Sequence, residues 1–83
     1  MARILFFGKL GDIAGGREKL TDLPRGVDTI GKLVDFLVQD DNQLASALNE
    51  GSVRVAVNEQ ICSRSAKIGE NDEIAFLPPV SGG

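Results

Sequence analysis

One segment of the chain repeats its apolar residues at the spacing of an α-helix. Its apolar residues fall at positions i, i+3, i+4, i+7 and i+8, and they are Ile30, Leu33, Val34, Leu37 and Val38. Such spacing places them on one side of a helix, so the segment is predicted to be an amphipathic helix that buries one stripe. The side chain of Asp28 or Thr29 can cap its start by accepting a hydrogen bond from a backbone N–H of the first turn, which has no partner within the helix.

Other segments have the pattern of β-strands, either short apolar runs or alternating apolar residues. One helical turn within 8–17 and a second short helix at 43–49 are also predicted. This β-β-α-β-β-β order indicates an α+β fold in which a mixed sheet wraps one main helix. We expect one domain over 1–77, followed by a protruding tail over 78–83. The predicted strands are 2–8, 17–23, 52–58, 60–62 and 73–79.

Alternation along the predicted strands separates an inner face of the sheet from an outer face. In the first strand Ile4 and Phe6 share one face, and Leu5 and Phe7 share the other. If the first pair covers the helix, the second pair faces away from it, where an antiparallel sheet is usually polar. An apolar outer face favours a patch that binds another protein over isolated apolar surface residues. The predicted outward apolar residues are Leu5, Phe7, Ala56, Ala75 and Leu77.

Composition restricts the function further. The 83 residues carry a formal net charge of −3, which disfavours nucleic acid as a partner because phosphate contacts need clustered Lys and Arg. The chain contains no histidine, so Cys–His pairs, Ser–His pairs and histidine-rich metal sites are excluded. No apolar run is long enough for a membrane span or a signal peptide. We therefore expect a cytoplasmic protein with no membrane partner and no bound metal.

Few other residues could carry chemistry. The glycines between 8 and 16 do not have the spacing of a phosphate-binding loop, and the acids of 69–73 lack the spacing of a calcium loop. Cys62 is the single cysteine and has no partner base, so we expect an inert, buried thiol.

The end of the sequence has an unusual composition. Pro78 and Pro79 cannot continue a sheet ladder and are predicted to hold the tail away from the sheet. Gly82 and Gly83 lack Cβ atoms, so a narrow channel can close around their backbone. A C-terminal carboxylate has a reference pKa of about 3.3–3.7, so it is an unreactive anion at neutral pH. The chain is therefore predicted to be a substrate of another protein's chemistry, although an inert terminus would have the same glycines.

Together, four stretches resemble the small subunits of molybdopterin synthase, a family of ubiquitin-like sulfur carriers. They are ILFFGKLGDIAG, TIGKLVDFL, VRVAVNEQ and, most specifically, NDEIAFLPPVSGG. The resemblance covers the whole length and implies a β-grasp fold with a flexible C-terminal tail. Family members often carry arginine at the position of Gly11 and glycine at that of Asn71. Because asparagine also tolerates a left-handed turn, we expect that geometry at Asn71.

The resemblance also implies a function for Gly83. An ATP-dependent activating enzyme would adenylate its carboxylate, and sulfur would replace the adenylate to leave a thiocarboxylate. The thiocarboxylate would then donate its sulfur to cyclic pyranopterin monophosphate. The chain would be a non-catalytic donor that binds no cofactor itself, within a heterotetramer of two small and two large synthase subunits. The implied inserted tail is Pro78, Pro79, Val80, Ser81 and Gly82, and the implied partner-binding patch is Phe7, Ile61 and Leu77.

Three alternatives remain open at this point. A thiamine-pathway sulfur carrier would have a similar fold and a Gly-Gly end. A ubiquitin-like protein modifier would be joined through Gly83 to lysines on target proteins. A plain binding module would keep its function after loss of Gly83.

Overall fold

The structure, a computed structural model, describes residues 1–79. The predicted tail residues Val80, Ser81, Gly82 and Gly83 lie outside the described residues. The helices and strands are, in chain order, β1 (Ala2–Phe6), α1 (Lys9–Ala14), β2 (Glu18–Thr21), α2 (Ile30–Leu37), α3 (Asn42–Leu48), β3 (Arg54–Val57), β4 (Gln60–Cys62) and β5 (Glu73–Leu77).

Helix α2 buries the predicted apolar stripe. Of the two candidate caps, Thr29 occupies the N-cap position, where its side-chain oxygen accepts a hydrogen bond from the backbone N–H of Lys32 at 3.3 Å. This bond satisfies one of the donors that the first helical turn leaves without a partner. The buried residues of α2 are Ile30, Leu33, Val34 and Leu37.

The strands form one mixed sheet in the order β2-β1-β5-β3-β4. The two ends of the described chain meet at its centre, because β1 pairs with β5 in parallel. All the other pairings are antiparallel. The prediction of an α+β fold with a mixed sheet is therefore confirmed.

Aromatic stacking on the inner face joins the two central strands. Phe6 and Phe76 are register partners on β1 and β5, and their ring centroids lie 5.6 Å apart in a stacked arrangement. Both rings belong to the same buried cluster as Ile4, Ile74 and the stripe of α2. The inner face assigned by alternation is thus the core of the protein.

Several predicted boundaries differ from the structure. The turn expected within 8–17 is the six-residue helix α1, and Gly15, with a φ of 85°, ends it in the left-handed region. Helix α3 begins at Asn42 because the carboxylate of Asp41 accepts a hydrogen bond from the backbone N–H of Leu44 at 2.9 Å. The strands are shorter than predicted at most of their ends, where most of the residues outside the sheet pairing are polar, glycine or proline.

The expectation of a left-handed conformation at Asn71 is wrong. The non-glycine residues with positive φ within residues 1–79 are Asp40, Asn58 and Glu59. The turn before β5 is closed by two bonds between Gly69 and Asp72, one from Asp72 N–H to Gly69 C=O and one from Gly69 N–H to the Asp72 carboxylate. A turn closed this way needs no residue with positive φ.

Candidate functional site

One row of small and apolar side chains crosses the outward face of the sheet. The registers pair Leu5 with Ala75, Ala75 with Ala56, and Ala56 with Ile61. Residues paired across neighbouring strands point to the same side of a sheet, so these four lie on one face. They lie on the face of the sheet that points away from the core. Side chains alternate between the two faces along a strand, and residues next to each of these four belong to the buried cluster or pack against it.

The three residues of the implied partner-binding patch lie together on this face. Leu77 follows Ala75 by two positions on β5, and Phe7 follows Leu5 by two positions, with its backbone N–H donating to Phe76 C=O at 3.1 Å. The side chain of Phe7 is 46% exposed and that of Ile61 is 62% exposed, whereas Leu77 is half-buried. We call Phe7, Ile61 and Leu77 the outward patch.

Alternation did not place Ile61 on the outward face. Strand β4 has three residues, too few for a pattern to identify a face, and only the register with β3 shows where Ile61 points. Ala56 also differs from its simple outward assignment, because it is only 5% exposed. Its methyl group lies between Ala75 and Ile61 in the row and contributes little to the accessible surface.

The root of the tail packs toward the helices. Strand β5 ends at Leu77, and half-buried Pro78 then lies beside Gly8, where an added Cβ would come within 3.0 Å of Pro78 Cγ. Both prolines line a mostly apolar groove of about 470 Å³ together with residues of α1 and the end of α3. Pro78 and Pro79 therefore follow β5 along this groove.

Charged side chains border the outward face at both ends of the strands. Arg3 forms ion pairs with Glu18 and with Glu73, the latter at 3.2 Å, at the end remote from Leu77. At the other end, exposed Arg54 is the register partner of Leu77. Within residues 1–79, Arg54 makes no ion pair or side-chain hydrogen bond.

Gly11, where the family often has arginine, is buried. A Cβ added there would lie 3.1 Å from the carbonyl oxygen of Phe6 and 3.4 Å from Cγ of Arg17. The stem of Arg17 therefore covers the position that the family's arginine occupies in sequence. Lys9 begins α1 beside the groove at the tail root.

The described residues contain little else that could perform catalysis. Cys62 is half-buried rather than fully buried, and its thiol lies 3.8 Å from the carbonyl oxygen of Val55. Over residues 1–79, no group of three or more His, Cys, Asp or Glu side chains is placed to hold a metal ion. None of the helices in this part of the chain is long and apolar enough to cross a membrane.

A mixed five-stranded sheet that packs its inner face on a helix defines a ubiquitin-like β-grasp protein. The sequence pattern of the ThiS family matches residues 4–83, and the chain belongs to this family.

Relatives with established names cover almost the whole chain. The molybdopterin synthase sulfur carrier subunit of Dictyostelium discoideum is 39% identical over 98% of this chain and 94% of its own. The subunit of the same name from Escherichia coli is 30% identical over 100% of both chains. Small archaeal modifier protein 1 of Haloferax volcanii is 34% identical over 93% of this chain and 94% of its own.

Solved structures support the fold. The crystal structure of the same Haloferax volcanii modifier has a TM-score of 0.80 and 27% identity, and covers 99% of this chain and 98% of that one. A chain from the complex of subunits 1 and 2 of the molybdopterin-converting factor of Helicobacter pylori has a TM-score of 0.67 at 22% identity, with 99% and 97% coverage.

Proposed function

We propose that this chain is the sulfur carrier subunit of a molybdopterin synthase. The observation that carries the proposal is its similarity, from end to end, to relatives named as that subunit in Dictyostelium discoideum and Escherichia coli. The outward patch beside the tail root supports it, because a carrier has to dock before its tail can react. The two glycines at positions 82 and 83 suit a narrow active-site channel.

The reacting group in this proposal is the carboxylate of Gly83. An adenylating enzyme uses ATP to form an acyl adenylate, which releases pyrophosphate, and sulfur then displaces AMP to leave a thiocarboxylate. The thiocarboxylate donates its sulfur to cyclic pyranopterin monophosphate, and hydrolysis restores the carboxylate for another cycle. This chain binds no cofactor in the proposal, and its role is that of a non-catalytic donor.

Docking in the proposal uses the outward patch. Phe7, Ile61 and Leu77 contact the large synthase subunit, while the tail from Pro78 to Gly82 enters the large subunit's active site. The Helicobacter pylori neighbour, described as a complex of two subunits, supports a partner of this kind. We propose a heterotetramer of two small and two large subunits, and a separate encounter of the same tail with the adenylating enzyme.

Intact-mass spectrometry tests the sulfur-carrier chemistry directly. The purified chain is incubated with the adenylating enzyme, ATP and a sulfide source, and then measured. Exchange of the carboxylate oxygen for sulfur increases the mass by about 16 Da. The matched control omits ATP and should show no increase. An unchanged mass with an active adenylating enzyme would contradict the proposal.

A protein modifier is the second candidate, and the similarity to the Haloferax volcanii modifier favours it. In that function Gly83 forms isopeptide bonds with lysines of target proteins. Mass spectrometry of protein from the native cell separates the candidates, because branched peptides ending in Gly82-Gly83 mark a modifier. A separate experiment tests the thiamine-pathway carrier. The thiocarboxylated chain is incubated either with the large synthase subunit or with a thiazole-forming enzyme, and loss of the thiocarboxylate is measured in each case.

A further inference from the structure

A small hollow beside the outward patch is lined in part by Arg54, an arginine that forms no ion pair within residues 1–79. It has a volume of about 180 Å³ and lies where β3 and β4 meet, next to Ile61. The residues that line it include Arg54, Ser63 and Arg64. We propose that this hollow receives a carboxylate side chain of the large synthase subunit, with Arg54 as its main ligand. The proposal rests on the proposed function and adds a charged contact to its docking surface.

Two arginines of the outward face, Arg3 and Arg54, and Arg64 on the helix side differ in how their charge is used. Arg3 is neutralised by two glutamates. Arg64 donates to the carbonyl oxygen of Leu48 and to Asn49 Oδ1, so its guanidinium is held in place by acceptors that carry no charge. Arg54 has no partner within residues 1–79. Arg54 is therefore the arginine of the hollow's lining whose guanidinium has no acceptor within residues 1–79.

The position of Arg54 makes it part of the interface. It is directly opposite Leu77, whose strand leads into the tail. Its planar guanidinium can bind a carboxylate through two parallel hydrogen bonds, and its stem can pack on apolar neighbours. Arginine is also among the residues that contribute most to the affinity of protein interfaces.

The charge distribution favours an acidic occupant from a partner. The chain as a whole is acidic, with 12 Asp and Glu against 9 Lys and Arg. Glu73 begins β5 at the end of the sheet remote from the tail, whereas Arg54 is opposite Leu77 at the tail end. This polarity would orient an approaching partner so that its acidic group meets the end from which the tail emerges.

Binding measurements with the purified large subunit test the proposal. Arg54→Ala should weaken binding about tenfold near 0.05 M salt, and less near 0.5 M, because salt screens charged contacts. Its thermal unfolding should stay unchanged, since Arg54 makes no ion pair within residues 1–79. Arg54→Glu should weaken binding further, and an acid-to-arginine change on the large subunit should restore it.

Two arginines provide matched controls that remove the same unit of charge. Arg25 is exposed in the loop before α2, on the helix side of the molecule, and Arg3 is on the outward face but already paired. Arg25→Ala and Arg3→Ala should each change the affinity less than about twofold. If all three substitutions weaken binding equally, the effect comes from net charge and the hollow has no specific role.

The outcomes also separate this inference from the function on which it depends. Normal binding and normal salt dependence of Arg54→Ala, together with weak binding of Leu77→Asp, would overturn the carboxylate contact and leave the sulfur carrier intact. Tight binding of inorganic phosphate, abolished by Arg54→Ala without any effect on large-subunit affinity, would identify the hollow as a site for a free anion and overturn the proposal.

Discussion

The two faces of the sheet carry similar apolar side chains and have different neighbours. On the inner face Ile4 and Ile74 are fully buried in the core, whereas on the outward face Ile61 is 62% exposed. Burial of an aliphatic side chain of this size contributes about 1.5–3 kcal/mol. The inner residues therefore stabilise the fold, whereas in the proposed function the exposed outward residues would contribute this free energy on binding a partner. Hydrophobicity alone does not distinguish the two roles, but the face does.

The first prediction concerns Gly83. In the proposed function the outward patch docks the chain so that the carboxylate of Gly83 can react. Deleting Gly83 moves the carboxylate back by about 3.5 Å, and a misplacement of about 1 Å can already cost a hundredfold in rate. The truncated chain should fold and bind the large subunit, yet form less than about 1% of the product in a reconstituted assay. Substantial activity of the truncated chain would contradict the sulfur-carrier proposal. It would also contradict the role in docking that the proposal gives to the outward face.

The inner face is tested by shortening one buried leucine. Leu33→Ala should lower the free energy of unfolding by about 2–5 kcal/mol, because a fully buried side chain leaves a cavity. The matched control is Leu20→Ala, at a leucine that is 58% exposed on β2, with an expected change within about 0.5 kcal/mol. If denaturant melts show equal losses in the free energy of unfolding for the two substitutions, Leu33 is not part of the core.

The outward face is tested by adding charge beside the tail root. Leu77→Asp should weaken binding to the large subunit by about tenfold or more, since a charge would be buried against apolar partner groups. Circular dichroism should show that the variant remains folded. Leu20→Asp is the control, because Leu20 lies on the outward face opposite Arg3, away from the tail. Normal binding of Leu77→Asp would mean that the patch is wrongly placed.

Helix caps lie on neither face and should have an intermediate effect on stability. Asp41→Ala removes the acceptor for Leu44 N–H and should cost about 1 kcal/mol. Ser46→Ala, at an exposed position of the same helix, should be neutral or slightly stabilising because alanine has the higher helix propensity. A smaller loss for Asp41→Ala than for Ser46→Ala in thermal melts would contradict the cap.

The smallest effect is expected at Asp28, which is exposed. A hydrogen bond from Lys32, followed by the positive charges of Lys32 and Lys67, lowers the pKa of Asp28 from its ordinary value of 3.8. The unfolded state then binds the proton more readily, so the contribution of Asp28 is present above about pH 3.8 and is lost as the pH falls through the lower, folded-state pKa.

Stability measured against pH checks this sign. Asp28→Asn should be slightly less stable than the original chain at neutral pH, and the difference should vanish at strongly acidic pH. Asp35→Asn is the control, because Asp35 makes no ion pair within residues 1–79. A difference that grows as the pH falls would have the wrong sign.

Much of the core could be predicted from local spacing. The stripe of α2 and the alternation of β1 and β5 were sufficient to identify Leu33, Ile4 and Phe76 as inner residues, and their burial confirms this. The prediction was less accurate for short elements. Strand β4 has only three residues, and the six-residue helix α1 was expected to be a single turn, because short segments offer too few repeats of any period.

The turn before β5 shows a different limit. Asparagine at position 71 was expected to adopt a left-handed conformation, since that is the preference of the residue type. Instead Asp72 closes the turn through its backbone and its carboxylate, and left-handed residues occur at the β3–β4 turn, at Asn58 and Glu59. A residue's preference was overruled by hydrogen bonds that its neighbour makes.

The sequence by itself determined which side chains are apolar, which of them share a helix stripe or a strand face, and which catalytic groups are missing. These are local properties, because the periods of a helix and a strand depend only on neighbouring residues. The tertiary structure decided which strands are adjacent. Parallel pairing of β1 with β5 brings Arg3 to Glu73, 70 positions away, while Arg54 lies opposite Leu77 without a charged partner within residues 1–79. Such pairings depend on the packing of the whole sheet, so no local pattern reveals which arginine is neutralised and which is free to bind.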